Sequence, residues 1–352
     1  MQQGIILSVD YHDRVCVIRW LDPRSRKEMV FTEVPTSAEA LSDFVDQARR
    51  AAGRRRVVWI QESTTGWARV KDLLGDRVDF QLANVVQMPQ PPKARRRKTD
   101  KTDTARIQRE YLNGRLPLAY QPPAWWRRVR RLVSFRENLV ARWTALRNWI
   151  NRYLAHETWF DRTGLWTTTG QQQLQALLKR LPAQDTFIIT QKLEELKQLK
   201  EQLGATIKQL LAVFQECPEA QRLDAIPGIN VVSAVSIVAR IGPVQRFSSV
   251  DCLIAYAGLA PGIHESDQTR RDGHIGGGGT DRHLRHYLIE ATTWAQKAPR
   301  YSAAYGRVRR RKGSKVARLV VARMLLRSIY KMIKEGVEFK AEPTAAVAAA
   351  GS

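Results

Sequence analysis

The 352-residue sequence has few cysteines, comparatively few acidic residues and no long apolar run. Its three cysteines, Cys16, Cys217 and Cys252, are odd in number and far apart, which argues against a disulfide framework and against a CxxC zinc site. No stretch approaches the ~18 apolar residues of a membrane span, and the first residues lack the basic and apolar regions of a secretory signal. These absences predict a cytoplasmic protein in a reducing compartment.

Basic residues are in large excess. The sequence contains 58 lysines and arginines and 34 aspartates and glutamates, so the formal net charge is +24. This charge argues against an ordinary enzyme of small metabolites. The expected partner is a polyanion, because each neutralised phosphate releases a counterion and adds affinity. Nucleic acid is the first candidate, and an anionic membrane surface is the second.

The first part of the chain alternates strand-like and helix-like segments. The predicted strands are 4–10, 14–21, 28–34, 56–61 and 78–82. A helix capped by Ser37 precedes the fourth strand, and a short helix at 66–74 follows it. This order predicts a mixed α/β sheet domain over residues 1–118.

Two proline-rich segments interrupt this pattern. Residues 87–97 predict a flexible basic loop, followed by a helix that starts at Thr99 or Thr102 and ends near Gly114. Residues 116–123 predict the edge of the domain. The predicted nucleic-acid contacts in and beside the basic loop are Lys93, Arg95, Arg96, Arg97 and Lys98.

A helical domain with coiled-coil character is predicted over residues 119–220. Apolar residues recur at steps of three and four in two long segments, which pack on each other in one chain or on a second subunit. The segment 154–182 shows no clear pattern. Arginines beside Trp125 and Trp126 predict nucleic-acid contacts, although core packing also explains the tryptophans. These arginines are Arg127, Arg128, Arg130 and Arg131.

A mainly α-helical third domain is predicted over residues 221–340, followed by a disordered tail at 341–352. Ile226-Pro-Gly-Ile229 predicts a helix-hairpin-helix, in which Gly228 lies either at a phosphate site or at a tight helix junction. A helix at 247–258, a glycine- and charge-rich loop, and a helix capped by Thr280 or Asp281 follow. A basic helix at 307–334 carries the candidate nucleic-acid contacts Arg309, Arg310, Arg311 and Lys315.

Four carboxylates form the candidate catalytic set. Asp10 closes the first predicted strand, and Glu62 follows the strand at 56–61. Asp100 and Asp103 are three residues apart and therefore share one face of the predicted helix. Because oxygen-only ligands suit Mg²⁺, and a pair of ions promotes displacement at a phosphodiester, we expect these residues to hold two magnesium ions.

This carboxylate arrangement resembles the RNase H-like nuclease domain of the RuvC type. More narrowly, Val9-Asp10, Glu62 and the segment Lys98–Asp103 resemble the DEDD transposases of insertion sequence family 110, also known as bridge-RNA-guided recombinases. The later part of the chain is similar to the second domain of that family. The segments that carry this similarity are Ile226–Ile229, Phe247, Ala255–Pro261 and Leu284-Arg285.

The resemblance implies a chemistry and a set of partners. Ser266 matches the nucleophilic serine of the family and would form a phosphoserine link to DNA, although Asp267 stands where relatives often have glycine. Arg270 and Arg271 would clamp a phosphate. The implied partners are donor DNA, target DNA, a structured noncoding bridge RNA and further copies of the chain, as a dimer or tetramer. The implied location is the prokaryotic cytoplasm, at the nucleoid.

Two other functions remain open at this point. A metal-dependent junction resolvase would use water in place of the serine and would form no covalent intermediate. A basic RNA-binding protein with a decayed nuclease domain would not cut DNA, although the presence of all four carboxylates argues against decay.

Overall fold

The computed structural model describes residues 4–24, 28–88, 100–260, 262–266, 269–273 and 279–341; the side chains of 28–30, 100–101, 262–266 and 269–273 lie outside that description. The chain divides into two compact units, 1–121 and 122–352. This boundary lies in the proline-rich segment at 116–123. The finer division into three domains stays a prediction, and the predicted tail lies outside the described residues from 342 onward.

The first unit contains a five-stranded mixed sheet with the order β3-β2-β1-β4-β5. Strands β1, β2 and β3 are antiparallel neighbours, whereas β1, β4 and β5 are parallel. The predicted mixed sheet is therefore confirmed, and the carboxyl ends of its three parallel strands meet at one edge. The strands are β1 (Ile5–Tyr11), β2 (Val15–Leu21), β3 (Glu28–Pro35), β4 (Val57–Glu62) and β5 (Asp79–Ala83).

Helices cover both faces of this sheet. Helices α1 and α2 pack on the face that carries Ile5 and Leu7, whereas Ile107 of α3 packs on the other face, against Ile6 and Ile60. The predicted cap of α1 is confirmed, because Ser37 Oγ accepts a hydrogen bond from the Ala40 amide at 3.1 Å. The helices are α1 (Ala38–Ala52), α2 (Trp67–Leu74) and α3 (Asp100–Leu112).

The second unit is mainly helical. Helices α4 and α6 pack on each other, and α4, with 34 residues, is about 51 Å long at ~1.5 Å per residue. The helices are α4 (Ala124–Glu157), α5 (Thr168–Leu178), α6 (Ala183–Gln215), α7 (Pro218–Leu223), α8 (Val231–Ile241), α9 (Val250–Tyr256), α10 (Arg282–Ala295) and α11 (Pro299–Glu335). Strands β6 (Gly262–Ser266) and β7 (Thr269–Gly273) form an antiparallel hairpin.

Among the described residues of the second unit, buried side chains form two separate hydrophobic cores. The distal core lies between the later half of α4, helix α5 and the earlier half of α6, and it includes Leu146, Leu174 and Leu199. The basal core surrounds α8 and α10 and includes Ile237 and Leu288. Helices α4 and α6 therefore contribute to both cores, one at each end.

The structure corrects three expectations for the later part of the chain. The segment predicted as a glycine- and charge-rich loop contains the β6–β7 hairpin. Helix α9 begins at Val250 instead of Phe247, because Ser249 Oγ accepts from the Cys252 amide and caps the helix. Helix α11 begins at Pro299 instead of residue 307, and Gly313, with φ 81° and ψ 169°, breaks it into two segments. None of the described helices is long and apolar enough to cross a membrane.

Candidate functional site

Two of the candidate carboxylates lie side by side at the end of the central strands. The register of β1 and β4 pairs Val9 with Gln61, so Asp10 and Glu62 are the next neighbours on strands ~4.8 Å apart. Strand alternation places both on the face that carries Ile6 and that α3 covers. The side chain of Asp10 is 18% exposed, which leaves it within reach of a ligand.

The direction of α3 brings the other two carboxylates towards the same edge. Burial raises the pKa of Tyr111, near the end of α3, and the charges of Asp79 and Arg56 also act on it. Those two residues lie at the start of β5 and β4, so α3 runs antiparallel to these strands. Along the helix, Asp103 is ~12 Å and Asp100 ~16 Å from Tyr111. Because β4 is ~16 Å long, these distances carry the start of α3 towards the carboxyl end of that strand.

The candidate ligands at this sheet edge are carboxylate oxygens, which is the type of ligand that a hard divalent cation prefers. Among the described side chains, however, no three His, Cys, Asp or Glu residues lie close enough together to hold a metal ion. The side chain of Asp100, the first residue of α3, lies outside the described residues. The structure thus brings Asp10, Glu62 and the start of α3 to one edge without showing an assembled metal centre.

Residues that the sequence did not single out surround this edge. His12 Nε2 lies 3.5 Å from Asp10 Oδ2. The sequence feature that could have identified His12 is its position in the turn after β1. The Arg69 guanidinium donates a hydrogen bond to the Tyr11 hydroxyl. Gly66 has φ 93°, and a Cβ there would lie 2.7 Å from the Tyr11 ring. The segment after Glu62 is therefore fitted closely to the end of β1.

Ser266 belongs to the second unit, where it is the last residue of β6 and pairs with Thr269, the first residue of β7. Arg270 pairs with Glu265 and Arg271 with His264 in the same hairpin. The side chains of all these residues lie outside the described residues. The backbone register therefore places Ser266 at the closed end of the hairpin, within a few residues of both arginines.

The segment that leads into this hairpin is firmly anchored. Arg323 Nε of α11 donates to the Leu259 carbonyl at 2.7 Å, and the Asp281 amide donates to the Tyr256 carbonyl at 2.8 Å. Asp281 also caps α10, because its Oδ1 accepts from the Leu284 amide at 2.9 Å. Gly258 has φ 65°, and a Cβ there would lie 2.9 Å from Thr280 Oγ1. These contacts fix both ends of the segment that carries Ser266.

The basic residues predicted as nucleic-acid contacts differ in their surroundings. Arg130 donates to the carbonyl oxygens of Ala239, at 2.7 Å, and Arg240, at 2.9 Å, and so holds the C-terminal end of α8. Arg127 donates to the Pro122 carbonyl at 2.9 Å. The exposed members are Arg128, Arg131, Arg309, Arg310, Arg311 and Lys315, whereas Lys93, Arg95, Arg96, Arg97 and Lys98 lie outside the described residues.

The helix-hairpin-helix is a tight junction in which α8 caps itself. Asn230 Oδ1 accepts from the Ser233 amide at 3.0 Å, and the Asn230 amide donates to Ser233 Oγ at 2.8 Å. Gly228 has φ 90°, and a Cβ there would lie 2.4 Å from the Ala291 carbonyl oxygen on α10. These contacts favour the junction role of Gly228, because they use amides that a phosphate would need.

The tryptophans near the start of α4 are packed into the structure. Trp125 and Trp126 meet edge to face, with ring centroids 4.4 Å apart, against the basal core. Trp143 packs at the distal core, where the Arg147 guanidinium lies 4.2 Å from its ring centroid and 4.5 Å from that of Trp166. Core packing therefore accounts for the sequence signal at Trp125 and Trp126, and Trp143 is packed in the same way.

Comparison with known families finds two matches. Residues 7–160 match the family model of DEDD transposases of IS110, described as "Transposase", and residues 220–307 match the model described as "Transposase IS116/IS110/IS902 family". The first match covers β1, β4 and α3, which carry the four carboxylates. The second covers the helix-hairpin-helix and the hairpin that carries Ser266.

Individual relatives are similar over parts of their length. The chain is 28% identical over 146 residues (39% of the chain, 38% of the relative) to the "Transposase for insertion sequence element IS1111A" of Coxiella burnetii. It is 27% identical over 148 residues (42% and 36%) to the "Insertion element IS110 uncharacterized 43.6 kDa protein" of Streptomyces coelicolor. It is 24% identical over 203 residues (57% and 49%) to the "Putative transposase y4qE" of Sinorhizobium fredii. The matched regions span less than half of each relative.

Proposed function

Because the chain belongs to the IS110 family of DEDD transposases, we propose that it cuts and rejoins DNA as the transposase of an insertion sequence. The observation that carries this proposal is the position of Asp10 beside Glu62 at the end of the parallel strands, with α3 running so that its start lies towards that edge. The strand order and the helices on both faces support an RNase H-like domain of the RuvC type. The excess of positive charge supports binding of DNA.

Asp10, Glu62, Asp100 and Asp103 are proposed to hold two magnesium ions. When bound, the metal stabilises the attacking and leaving oxygens of a phosphodiester. The chain's own part would be to gather negative charge that a cation relieves, since carboxylates drawn together repel one another. The neighbouring His12 lies within ion-pairing reach of Asp10 and, when protonated, would compete with a metal for that carboxylate.

Ser266 is proposed as the nucleophile. Its Oγ would form a bond to phosphorus as the bond from phosphorus to the leaving DNA oxygen breaks, and the leaving oxygen would take up a proton. A hydroxyl end of another DNA strand would then reverse the step, restoring a phosphodiester and freeing the serine. The anchored ends of the Ser266 segment support this role, because a nucleophile must be held in a defined position.

The proposed partners are donor and target DNA, a structured noncoding RNA that pairs with them, and further copies of the chain. The accessible arginines on α4 and α11 would contact phosphates of either nucleic acid. Helices α4 and α6, predicted as a coiled coil, pack on each other within one chain, so the proposal of further copies rests on the family resemblance. Sequencing the RNA that copurifies with the full chain tests the RNA partner, and recovery of no defined RNA would contradict it.

Covalent capture tests the chemistry. Protein, RNA, DNA substrate and Mg²⁺ are incubated and then denatured, and a protein–DNA adduct is expected for the native chain. Ser266→Ala should abolish the adduct, whereas Ser302→Ala, at an exposed serine of α11, should retain it. Glu62→Gln should also abolish it while leaving the fold intact. An adduct formed by Ser266→Ala would contradict the serine mechanism.

The same experiment separates the two alternatives. A junction resolvase that uses water would give cut DNA with free 5′-phosphate ends and no adduct. A non-catalytic RNA-binding protein would cut no junction and no RNA-programmed DNA at any Mg²⁺ concentration.

A further inference from the structure

A cavity of about 400 Å³ lies beside the helix-hairpin-helix, and the proposed chemistry does not use it. Its walls come from α4, α6, the hairpin turn, α8 and α10 of the second unit. The side chains that the argument uses are Arg136, Tyr287, Glu290 and Trp294. Its volume lies towards the lower end of the ~300–1,000 Å³ typical of small-molecule pockets, and it combines apolar and polar lining.

Tyr287 is the first sign that the cavity receives a ligand. Its side chain is 2% exposed, and although Ser236 and Glu137 lie near its hydroxyl, neither forms a hydrogen bond of good geometry with it. Arg136 Nε, on the facing α4, is also buried and without a partner among the described residues. Buried polar atoms are nearly always hydrogen-bonded in folded proteins. Two such atoms at residues that line one cavity therefore indicate that a bound molecule supplies their missing hydrogen bonds.

The wall formed by Trp294 suits a planar group. Its side chain is 62% exposed, and the Lys297 ammonium lies 4.4 Å from its ring centroid. Gly228 keeps the turn close to this wall, since a Cβ at residue 228 would lie 3.1 Å from Trp294 Cβ. An accessible aromatic ring with a neighbouring cation is the arrangement on which nucleic-acid bases stack.

We propose that this cavity accepts one unstacked base of a bound nucleic-acid strand, an inference that rests on the nucleic-acid binding of the proposed function. Trp294 stacks on the base, and the Tyr287 hydroxyl and the Glu290 carboxylate bond to its edge. Arg136 and Lys297 lie near enough to contact the adjoining phosphate.

The charges in the cavity favour a base over a phosphate as its occupant. Glu290 would repel a phosphate, whereas a carboxylate accepts hydrogen bonds from amino groups of bases. The amides at the start of α8 are also engaged by Asn230 and Ser233. A site that has an aromatic wall, a buried hydroxyl and a carboxylate recognises the base and leaves the phosphate to the cations at its rim.

The test uses the full chain and a duplex with one unpaired nucleotide, so that only one base is free to leave the stack. The bulged position carries either 2-aminopurine or an abasic residue, in matched DNA and RNA duplexes. The native chain should bind the 2-aminopurine bulge about tenfold more tightly than the abasic bulge, the size of one base–aromatic stack, and should quench its fluorescence. The arm that shows the preference identifies the strand as DNA or RNA.

Variants of the cavity residues test whether the cavity causes the preference for the 2-aminopurine bulge over the abasic bulge. Trp294→Ala should bind both duplexes equally. Tyr287→Phe should reduce the preference while the fold stays intact, because the lost hydroxyl makes no hydrogen bond of good geometry with the described residues. The control is Trp159→Ala, at a fully exposed tryptophan outside the cavity, which should keep the full preference.

A native chain that binds bulged and abasic duplexes equally, or a Trp294→Ala variant that keeps the preference, would overturn the proposal. Neither outcome would affect covalent capture at Ser266. A chain that binds no duplex at all would instead contradict the proposed function itself.

Discussion

Replacing Gly228 by alanine should destabilise the helix-hairpin-helix, and the cost follows from two features of that position. The backbone there has φ 90°, a conformation that costs a residue with a side chain ~1–3 kcal/mol. The new Cβ would also lie 2.4 Å from the Ala291 carbonyl oxygen, so α10 must move, and such overpacking costs ~1–3 kcal/mol. We therefore expect the free energy of local unfolding of α8 and α10 to fall by about 3 kcal/mol.

Gly204→Ala is the matched control. Gly204 lies within α6, is exposed, and a Cβ there would meet no atom within 4 Å. Alanine should therefore stabilise that helix by ~0.5–1 kcal/mol, because glycine is the poorer helix former. The same chemical change thus has opposite signs at the two positions.

Hydrogen exchange measured by mass spectrometry resolves these local effects. At ~1.4 kcal/mol per tenfold change, a loss of about 3 kcal/mol makes exchange in α8 and α10 about a hundredfold faster. Exchange in the sheet of the first unit should not change. Native-like protection of α8 and α10 in Gly228→Ala would refute the close packing of the hairpin turn on α10.

Three further predictions follow from side-chain surroundings. Hydrogen bonds from Arg55 hold the pKa of Asp22 below its usual range, so the stability they provide is present at neutral pH and is lost as pH falls through that lowered value. Asp22→Asn should therefore make the free energy of unfolding, followed by circular dichroism, depend less on pH in the acid range. An unchanged pH dependence would contradict this. Cys252 is exposed and should react with a thiol reagent in the native protein, whereas burial raises the pKa of Cys217 to about 11 and should leave it unreactive until unfolding; equal rates would count against this packing. Changing the three arginines at 309–311 to glutamine should lower the log-log salt slope of DNA binding by up to ~2.7, and an unchanged slope would mean that they are only solvated.

Much of the first unit is predictable because its signals are local. The apolar runs of β1 and β4 are buried on both faces, and Ser37 is a strong cap, so these elements lie within a residue or two of their predicted bounds. The placement of Asp10 and Glu62 at strand ends follows from the same runs. The direction of α3 does not, because it depends on the packing of α3 against β1 and β2, which no local pattern encodes.

The second unit shows where local signals are insufficient. Strands β6 and β7 contain few β-branched residues and no alternation of polar and apolar residues, so the sequence offers no pattern from which their pairing could be predicted. Arg130 stands in a basic, tryptophan-rich segment that predicts nucleic-acid contact, yet it donates to carbonyls more than a hundred residues away. The start of α11 was detectable, because proline at the first position of a helix is a known signal.

The separation of the distal and basal cores makes the far half of the α4–α6 pair a module that can vary by itself. Substitutions around Leu146 and Leu174 share no core neighbours with those around Ile237 and Leu288, so their effects on stability should add without coupling. Lengthening or exchanging the tip would leave the junction of α8 with α10 undisturbed. Changes in this middle segment can therefore leave the scaffold around Ser266 intact.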